Sequence, residues 1–521
     1  MPKLKKKPRL GEKLISNTSY LFLDWFVLSL FSFIFWMILG KTVSPAGMGI
    51  VATSINLIMF ISGLSILGIP TALTKLVPEL KEKEGLKSVY SLVKLSFKPL
   101  LISLMVVSIV LLIFSNQFSL FIFHDSGSSI KLVFLICIFS TIVISIYDFL
   151  GSVLYGLQDM RRYFLTDFVQ VVLKVLFTGL LIFLTLNYFI QYENYLYTLP
   201  LIGFVFAHFF ALFLRFNPNY LTNGGSPSYK KLFFYASPAL ISSLFSGWIS
   251  RGAYIILTFL KTTEVTGIFT IAFTISSVIG VLAHTPNTGL FPIISALSSH
   301  KKTKKKQGYL IGLVLRYSLF LIIPLSLLLI VFSKHAVLLF SKPEFLPSTQ
   351  YFPILIPGAI LSGIGVILNS NLYAIGKPKI RRNITVFSSL IFLISSLILT
   401  YYFSALGLSF AYFITMLFKS LVSFIYIKRS IKLNFFIGDL SKILLSSLLI
   451  LLILFIIRPF IPNVFVLAVV LFPVSLVYLG LLLFANFYRV EDVRILRYFG
   501  EKIPALGKYI LTIADFVESR L

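Results

Sequence analysis

At 521 residues the chain is long enough for several water-soluble domains, but 58% of its side chains are apolar and only 12% charged, too few to solvate so much apolar surface. Lipid is the solvent that stabilises such a composition. The net charge of +28 would suggest nucleic acid in a soluble protein; here the basic residues stand in short clusters between apolar runs, where they set topology, and no nucleic-acid partner is expected.

The chain opens on a basic stretch, Lys3 to Arg9, followed by an apolar run long enough to span and lacking a small-residue cleavage site, so no removable leader is expected. A run of about 20 apolar residues crosses the bilayer as a helix. Such runs fall at roughly 19–39, 50–72, 91–114, 131–153, 168–189, 195–214, 234–258, 265–290, 310–332, 351–374, 384–403, 405–427, 441–458 and 463–487. The 384–427 block is continuous in hydropathy and is divided at Ser404-Ala405-Leu406-Gly407. The expected fold is an all-α polytopic membrane protein of about fourteen transmembrane helices.

Charge fixes the orientation. The even-numbered loops hold Lys75, Lys81, Lys83 and Lys87, then Arg161 and Arg162, Arg215, Lys230 and Lys231, Lys301 to Lys306, Lys377 to Arg382, and Lys428, Arg429 and Lys432. In all, 39 of the 46 basic residues fall on the N-terminal side, six on the other, and Arg251 on neither. The bias places both termini in the cytoplasm, and an odd number of spans would scramble it.

Two landmarks recur at one offset. Leu154-Tyr155-Gly156-Leu157 and Leu372-Tyr373-Ala374-Ile375 each end a span before a basic loop, and their tyrosines are 218 residues apart. Gly49-Ile50 and Gly267-Ile268 each open a span at the same offset of 218. The repeat predicts two pseudo-symmetric six-helix lobes, residues 1–214 and 215–432, related by an axis along the membrane normal. Spans thirteen and fourteen occupy 433–487, and a mildly amphipathic cytoplasmic tail, 488–521, is expected along the membrane surface.

This layout resembles the multidrug/oligosaccharidyl-lipid/polysaccharide (MOP) exporter superfamily, and within it the polysaccharide-type, Wzx-like flippases. The local likeness rests on Gly68-Ile69-Pro70-Thr71-Ala72-Leu73, on Tyr155-Gly156-Leu157-Gln158-Asp159-Met160-Arg161-Arg162, and on Tyr373-Ala374-Ile375-Gly376-Lys377-Pro378. The resemblance implies an alternating-access transporter in the cytoplasmic membrane with a central cavity between two lobes. It implies a polyprenyl-phosphate- or polyprenyl-diphosphate-linked oligosaccharide as cargo, with membrane lipids around it, and no catalytic residue.

Such cargo needs cations for its phosphates, and ionisable residues inside spans are costly enough to mark function. Arg251, in Gly247-Trp248-Ile249-Ser250-Arg251-Gly252, offers a planar donor fork for phosphate; the bland alternative is a structural ion pair or snorkelling. Lys174 and Lys419 are further substrate-binding candidates, with snorkelling an equal account of Lys174. Asp24 and Asp148 are the ion-coupling candidates, for H+ or Na+, set against a plain interhelical hydrogen bond. Asp167, near the start of span five, is a further buried carboxylate, set against an interhelical hydrogen bond or a pairing with Lys174, which it precedes by seven residues on the same face. His208 and His284 read as packing residues. Pro353, Pro357, Gly358, Gly363 and Gly365 make span ten the expected bending helix.

No Walker loop appears, Cys137 is the lone cysteine, and no metal-ligand spacing or cofactor motif occurs. No long outer loop carries the paired acidic residues a membrane glycosyltransferase would need, so an enzyme is disfavoured. The second reading is a cation-coupled multidrug exporter of the same superfamily, against which the cationic in-span residues weigh. A monomer is expected.

Overall fold

The structure, a computed structural model, describes residues 10–125, 127–188, 195–221, 229–298, 303–434, 436–461, 464–502 and 507–518. The basic start, Ser126, and residues 299–302 of the lysine-rich loop lie outside the described residues.

Backbone amides in hydrocarbon must be satisfied within their own segment, and apolar runs of this length therefore become helices. The first group is α1 (Leu10–Thr42), α2 (Pro45–Ser65), α3 (Ile69–Lys83), α4 (Leu86–Ile113), α5 (Ser115–Phe123), α6 (Ser128–Leu157), α7 (Met160–Tyr188) and α8 (Leu199–Arg215). The second is α9 (Tyr229–Gly247), α10 (Ala253–Leu260), α11 (Thr263–His284), α12 (Asn287–Ser298), α13 (Lys304–Val331), α14 (Ser333–Phe340), α15 (Phe352–Ala374) and α16 (Pro378–Ser430). The chain ends with α17 (Ile437–Ile457), α18 (Val464–Phe484), α19 (Val490–Lys502) and α20 (Gly507–Glu518).

The chain is a multi-pass membrane protein. Among the described residues, eleven helices are long and apolar enough to cross a membrane, against the fourteen expected. Two more, Leu199–Arg215 and Val469–Phe484, are apolar but shorter. The 53-residue α16 joins two helices across Ser404, whose φ of 54° and ψ of −138° break the helical backbone where the sequence divides the block.

The offset of 218 runs through the element starts. Pro45 and Thr263, Ile69 and Asn287, Leu86 and Lys304, Ser115 and Ser333, and Met160 and Pro378 each stand that far apart. So do the caps Ser44 and Thr262, whose side-chain oxygens accept from Gly47 N and Val265 N, each at 3.3 Å. α2 and α11 cross at Gly49 and Gly267. A methyl group on Gly49 would overlap the Thr263 carbonyl, and one on Gly267 would overlap the Pro45 carbonyl. The contact is reciprocal, residue for residue, as a two-fold axis between two equivalent helices requires. Thr53 and Thr258 hydroxyls bond beside it at 2.5 Å. At the helix ends, Lys342 Nζ donates to Thr42 O at 2.9 Å, and His124 Nε2, 218 residues earlier, lies 2.8 Å from Phe259 O.

Several boundaries differ from the sequence reading for local reasons. Span two stops at Ser65, because Leu67 and Gly68 take φ of 52° and 69° and turn the chain into the separate amphipathic α3. Gly68 is required twice over, since a methyl there would also overlap Ala236 O of α9. Span eight likewise ends at His284, and α12 follows. Span ten, by contrast, keeps its expected bounds as one helix, Phe352–Ala374; Pro353 occupies its first turn, where no amide donor is needed, and 343–351 forms a 3-10 stretch before it. In the tail, α19 and α20 pack on each other through Val493, Ala514 and Val517, with Arg497 reaching Asp515 at 2.8 Å.

Candidate functional site

Arg251 stands on an irregular backbone. Trp248–Gly252 form a single π turn between α9 and α10, a device that shifts the side chains after it around the helix and recurs at functional sites. The Trp248 ring packs on Phe60 of α2 with centroids 4.9 Å apart, which seats the turn against the first half of the chain. The Arg251 guanidinium is half-buried and donates through Nη1 to the Met59 carbonyl of α2.

Around it lies a cavity of about 230 Å³, lined by Met59, Asp148, Ser243, Ser246, Ser250 and Arg251 among others. Its walls come from α2, α6 and α9 with the π turn, so elements on both sides of the repeat build it. Asp148 opens onto this space, as do Ser243, Ser246 and Ser250. The arrangement sets one fixed cation and one carboxylate among hydroxyls, without direct ion-pair contact between Arg251 and Asp148. A guanidinium with donors left over and a free carboxylate in a water-accessible pocket can engage an anionic group and a cation respectively.

The other expected residues are elsewhere. Asp24 is buried in α1 beside Asp167 of α7, with one carboxyl oxygen lacking a partner. Lys174 is buried on α7, where its Nζ donates to Ser32 Oγ at 3.4 Å and lies 4.8 Å from the Phe35 ring centre. Lys419 lies along Gly365 of α15. Arg251 and Asp148 therefore share a cavity, Asp24 and Lys174 share the α1–α7 interface, and Lys419 joins neither.

Asp167 does not pair with Lys174. Its partner is Arg215, whose Nη2 donates to Asp167 Oδ1 at 2.7 Å while Tyr147 OH donates to the same oxygen at 2.6 Å. Arg215 is 1% exposed, and it also donates to Thr166 Oγ1 and Tyr147 O, each at 3.0 Å. Its guanidinium carbon sits 3.6 Å from the Tyr147 ring centre. Sequence reading counts Arg215 as a loop residue, yet it closes the interior of the first half.

A second buried arginine, Arg316 of α13, joins three elements. Its Nε lies 2.7 Å from Asp439 Oδ2 of α17 as an ion pair outside hydrogen-bonding angles. Its Nη1 and Nη2 grip both oxygens of Asp492 of α19 at 2.9 and 2.8 Å. Arg489 completes the group, 2.9 Å from Asp439. Among the described residues no cluster of His, Cys, Asp and Glu could hold a metal ion.

Comparison with known proteins fits this architecture. A family model described as polysaccharide biosynthesis protein matches residues 14–298, and one described as MatE matches residues 238–398. The fold is similar to that of the lipid II flippase MurJ in an inward closed conformation, at 18% identity and a TM-score of 0.68, covering 88% of this chain and 97% of that one. It is similar to an inward-facing multidrug resistance MATE family transporter of the MOP superfamily, at 15% identity and a TM-score of 0.61, covering 82% and 96%. A MOP superfamily transporter from Pyrococcus furiosus matches at 14% identity and a TM-score of 0.51, covering 83% and 96%. No curated protein matches.

Proposed function

We propose, from the premise that the chain belongs to the polysaccharide biosynthesis protein family of the MOP superfamily, that it is a flippase for a polyprenyl-(di)phosphate-linked oligosaccharide. The families it matches are transporters, and the finer statement is the cargo. The observation that carries it is Arg251 on its π turn, facing a hydroxyl-lined cavity built from both sides of the repeat. A phosphate entering that cavity would meet the guanidinium fork and the serines, while the polyprenyl chain stays in the surrounding lipid. Residues 1–214 and 215–432 then rock as two lobes about the α2–α11 crossing, in the cytoplasmic membrane with both termini in the cytoplasm. Asp148 beside Arg251, and Asp24 beside Asp167, are the groups through which H+ or Na+ would bias that motion.

Arg251→Ala, reconstituted at wild-type abundance, is expected to lower transport of a lipid-linked oligosaccharide in vesicles by about 10- to 100-fold, the range for a lost charged hydrogen bond. Arg251→Lys is expected to recover part of the loss, since ammonium lacks the bidentate fork. Full activity in Arg251→Ala would remove the proposal's main support. The MatE match over 238–398 and the carboxylate of Asp148 favour a second reading, a cation-coupled multidrug exporter. Export of a lipophilic cation that is lost in Asp148→Asn and kept in Arg251→Ala would select it.

A further inference from the structure

The two halves of the repeat are treated unequally on one face. In α13 that face runs through Gly312, Leu315, Arg316 and Leu319, and Phe436 with Leu440 and Ile443 of α17 covers it, leaving a gap of only about 10 Å³. Arg316 there is neutralised by Asp439 of the covering helix. The positions 218 residues earlier, on α4, are Lys94, Phe97, Lys98 and Leu101. After Pro218–Leu221 the chain leaves for α9, and no described helix takes the place of α17. The uncovered counterpart holds a cavity of about 280 Å³ whose walls include Lys94, Phe97, Phe149, Leu212, Phe213 and Tyr220.

The cavity faces the bilayer. Phe213 on its rim is 62% exposed, and Ile102 and Met105, further along α4, are 65% and 66% exposed; apolar side chains so placed on a span meet lipid. Lys98 is exposed on the same face, and among the described residues no carboxylate lies within ion-pair distance of it. Lys94 and Lys98 are one turn apart in the half of α4 that follows Lys81, Lys83 and Lys87, and the uncharged stretch of the helix, Pro99 to Ile113, begins only after them, so their long side chains can carry the ammonium groups toward the headgroup layer of that leaflet. Apart from Lys94 and Tyr220 the lining is apolar, with Val93, Phe97, Ile146, Leu150 and Phe213 among it, which suits a hydrocarbon chain.

We infer that the α4–α6–α8 face is a binding site for an anionic phospholipid of that leaflet, with its phosphate at Lys94 and Lys98 and one acyl chain in the cavity. The lipid supplies both the apolar cover and the negative charge that α17 and Asp439 supply to the equivalent face of α13. This site is distinct from the Arg251 cavity and stands whatever the cargo is.

The test uses the full chain in phosphatidylcholine nanodiscs doped with phosphatidylglycerol carrying a diazirine on one acyl chain. Illumination and peptide mapping are expected to place adducts on residues 93–97 and 212–220. Unlabelled phosphatidylglycerol is expected to compete and phosphatidylcholine not to. Lys94→Gln/Lys98→Gln is expected to weaken labelling, by about fivefold per lysine, and Leu212→Trp to abolish it by filling the slot. The lysine pair is peripheral to the core, so its labelling decides the matter if Leu212→Trp fails to fold. Equal competition by phosphatidylcholine, or unchanged labelling in the double variant, would show annular lipid only and overturn the inference. Crosslinks from this face to a second protein chain would overturn it in favour of a helix partner.

Discussion

Arg215 and Arg316 are each held by at least one carboxylate, and each lies inside a helical bundle where an unpaired charge is costly. Removing one partner of such a pair costs about 3–5 kcal/mol, whereas replacing both by apolar groups of similar volume is often neutral. Arg215→Met alone is therefore expected to lower the melting temperature of the purified protein more than Arg215→Met/Asp167→Leu does. A double variant no better than the single would mean that Tyr147 and Thr166, not Asp167, satisfy the guanidinium. These pairs were not legible in the sequence. Charge was readable as topology, and Arg215, at the end of an apolar run, reads as one more cytoplasmic cation. The signal was Asp167, a carboxylate at a span start, but the sequence offers Lys174 on the same face of its own helix, and only the fold brings Arg215 to it from another. Arg251 stands out in the sequence as a candidate because it sits deep in its span, remote from either basic loop.

At the scale of elements, glycine decides how closely helices cross. Gly49 and Gly267 permit α2 and α11 to bring backbone against backbone. Gly179, on α7, has nothing within 4 Å of where a methyl would sit. Gly49→Ala and Gly267→Ala are expected to destabilise the protein by similar amounts, about 1–3 kcal/mol each from overpacking. Gly179→Ala is expected to be neutral or slightly stabilising, as alanine is the better helix former. Thermal unfolding in detergent reads all three, and an unchanged melting temperature in Gly49→Ala would show that the crossing yields. The sequence carried the landmark without its meaning: Gly49 and Gly267 mark a shared offset in the chain, but only the fold places them opposite each other. Helix ends were read less well. Hydropathy runs on through Leu67 and Gly68, while the positive φ values that end α2 leave no mark on it.

For the whole molecule, the orientation expected from 39 basic residues on one side against six on the other is open to a direct test. With Cys137 replaced by serine, a cysteine at Ser128, before the α6 span, is expected to react with a membrane-impermeant reagent in intact cells. A cysteine at Ser299 is expected to react only after lysis. The reverse pattern would invert the topology and the leaflet assigned to every cytoplasmic group. The layout as a membrane bundle was the most legible property of all, because composition alone forces it. What composition could not convey is that the start of α19 is pinned to α13 by the pairing of Asp492 with Arg316.

The equal spacing of the two halves fails at one connection. Between Tyr188 and Leu199 the first half carries ten residues, whereas the second half makes the equivalent passage in a sharp break at Ser404. Length at that point is evidently not dictated by whatever the halves do in common. It is the natural place to graft a reporter: an epitope or a small fluorescent tag inserted there would display on the face opposite the termini and leave the shared machinery at its native register.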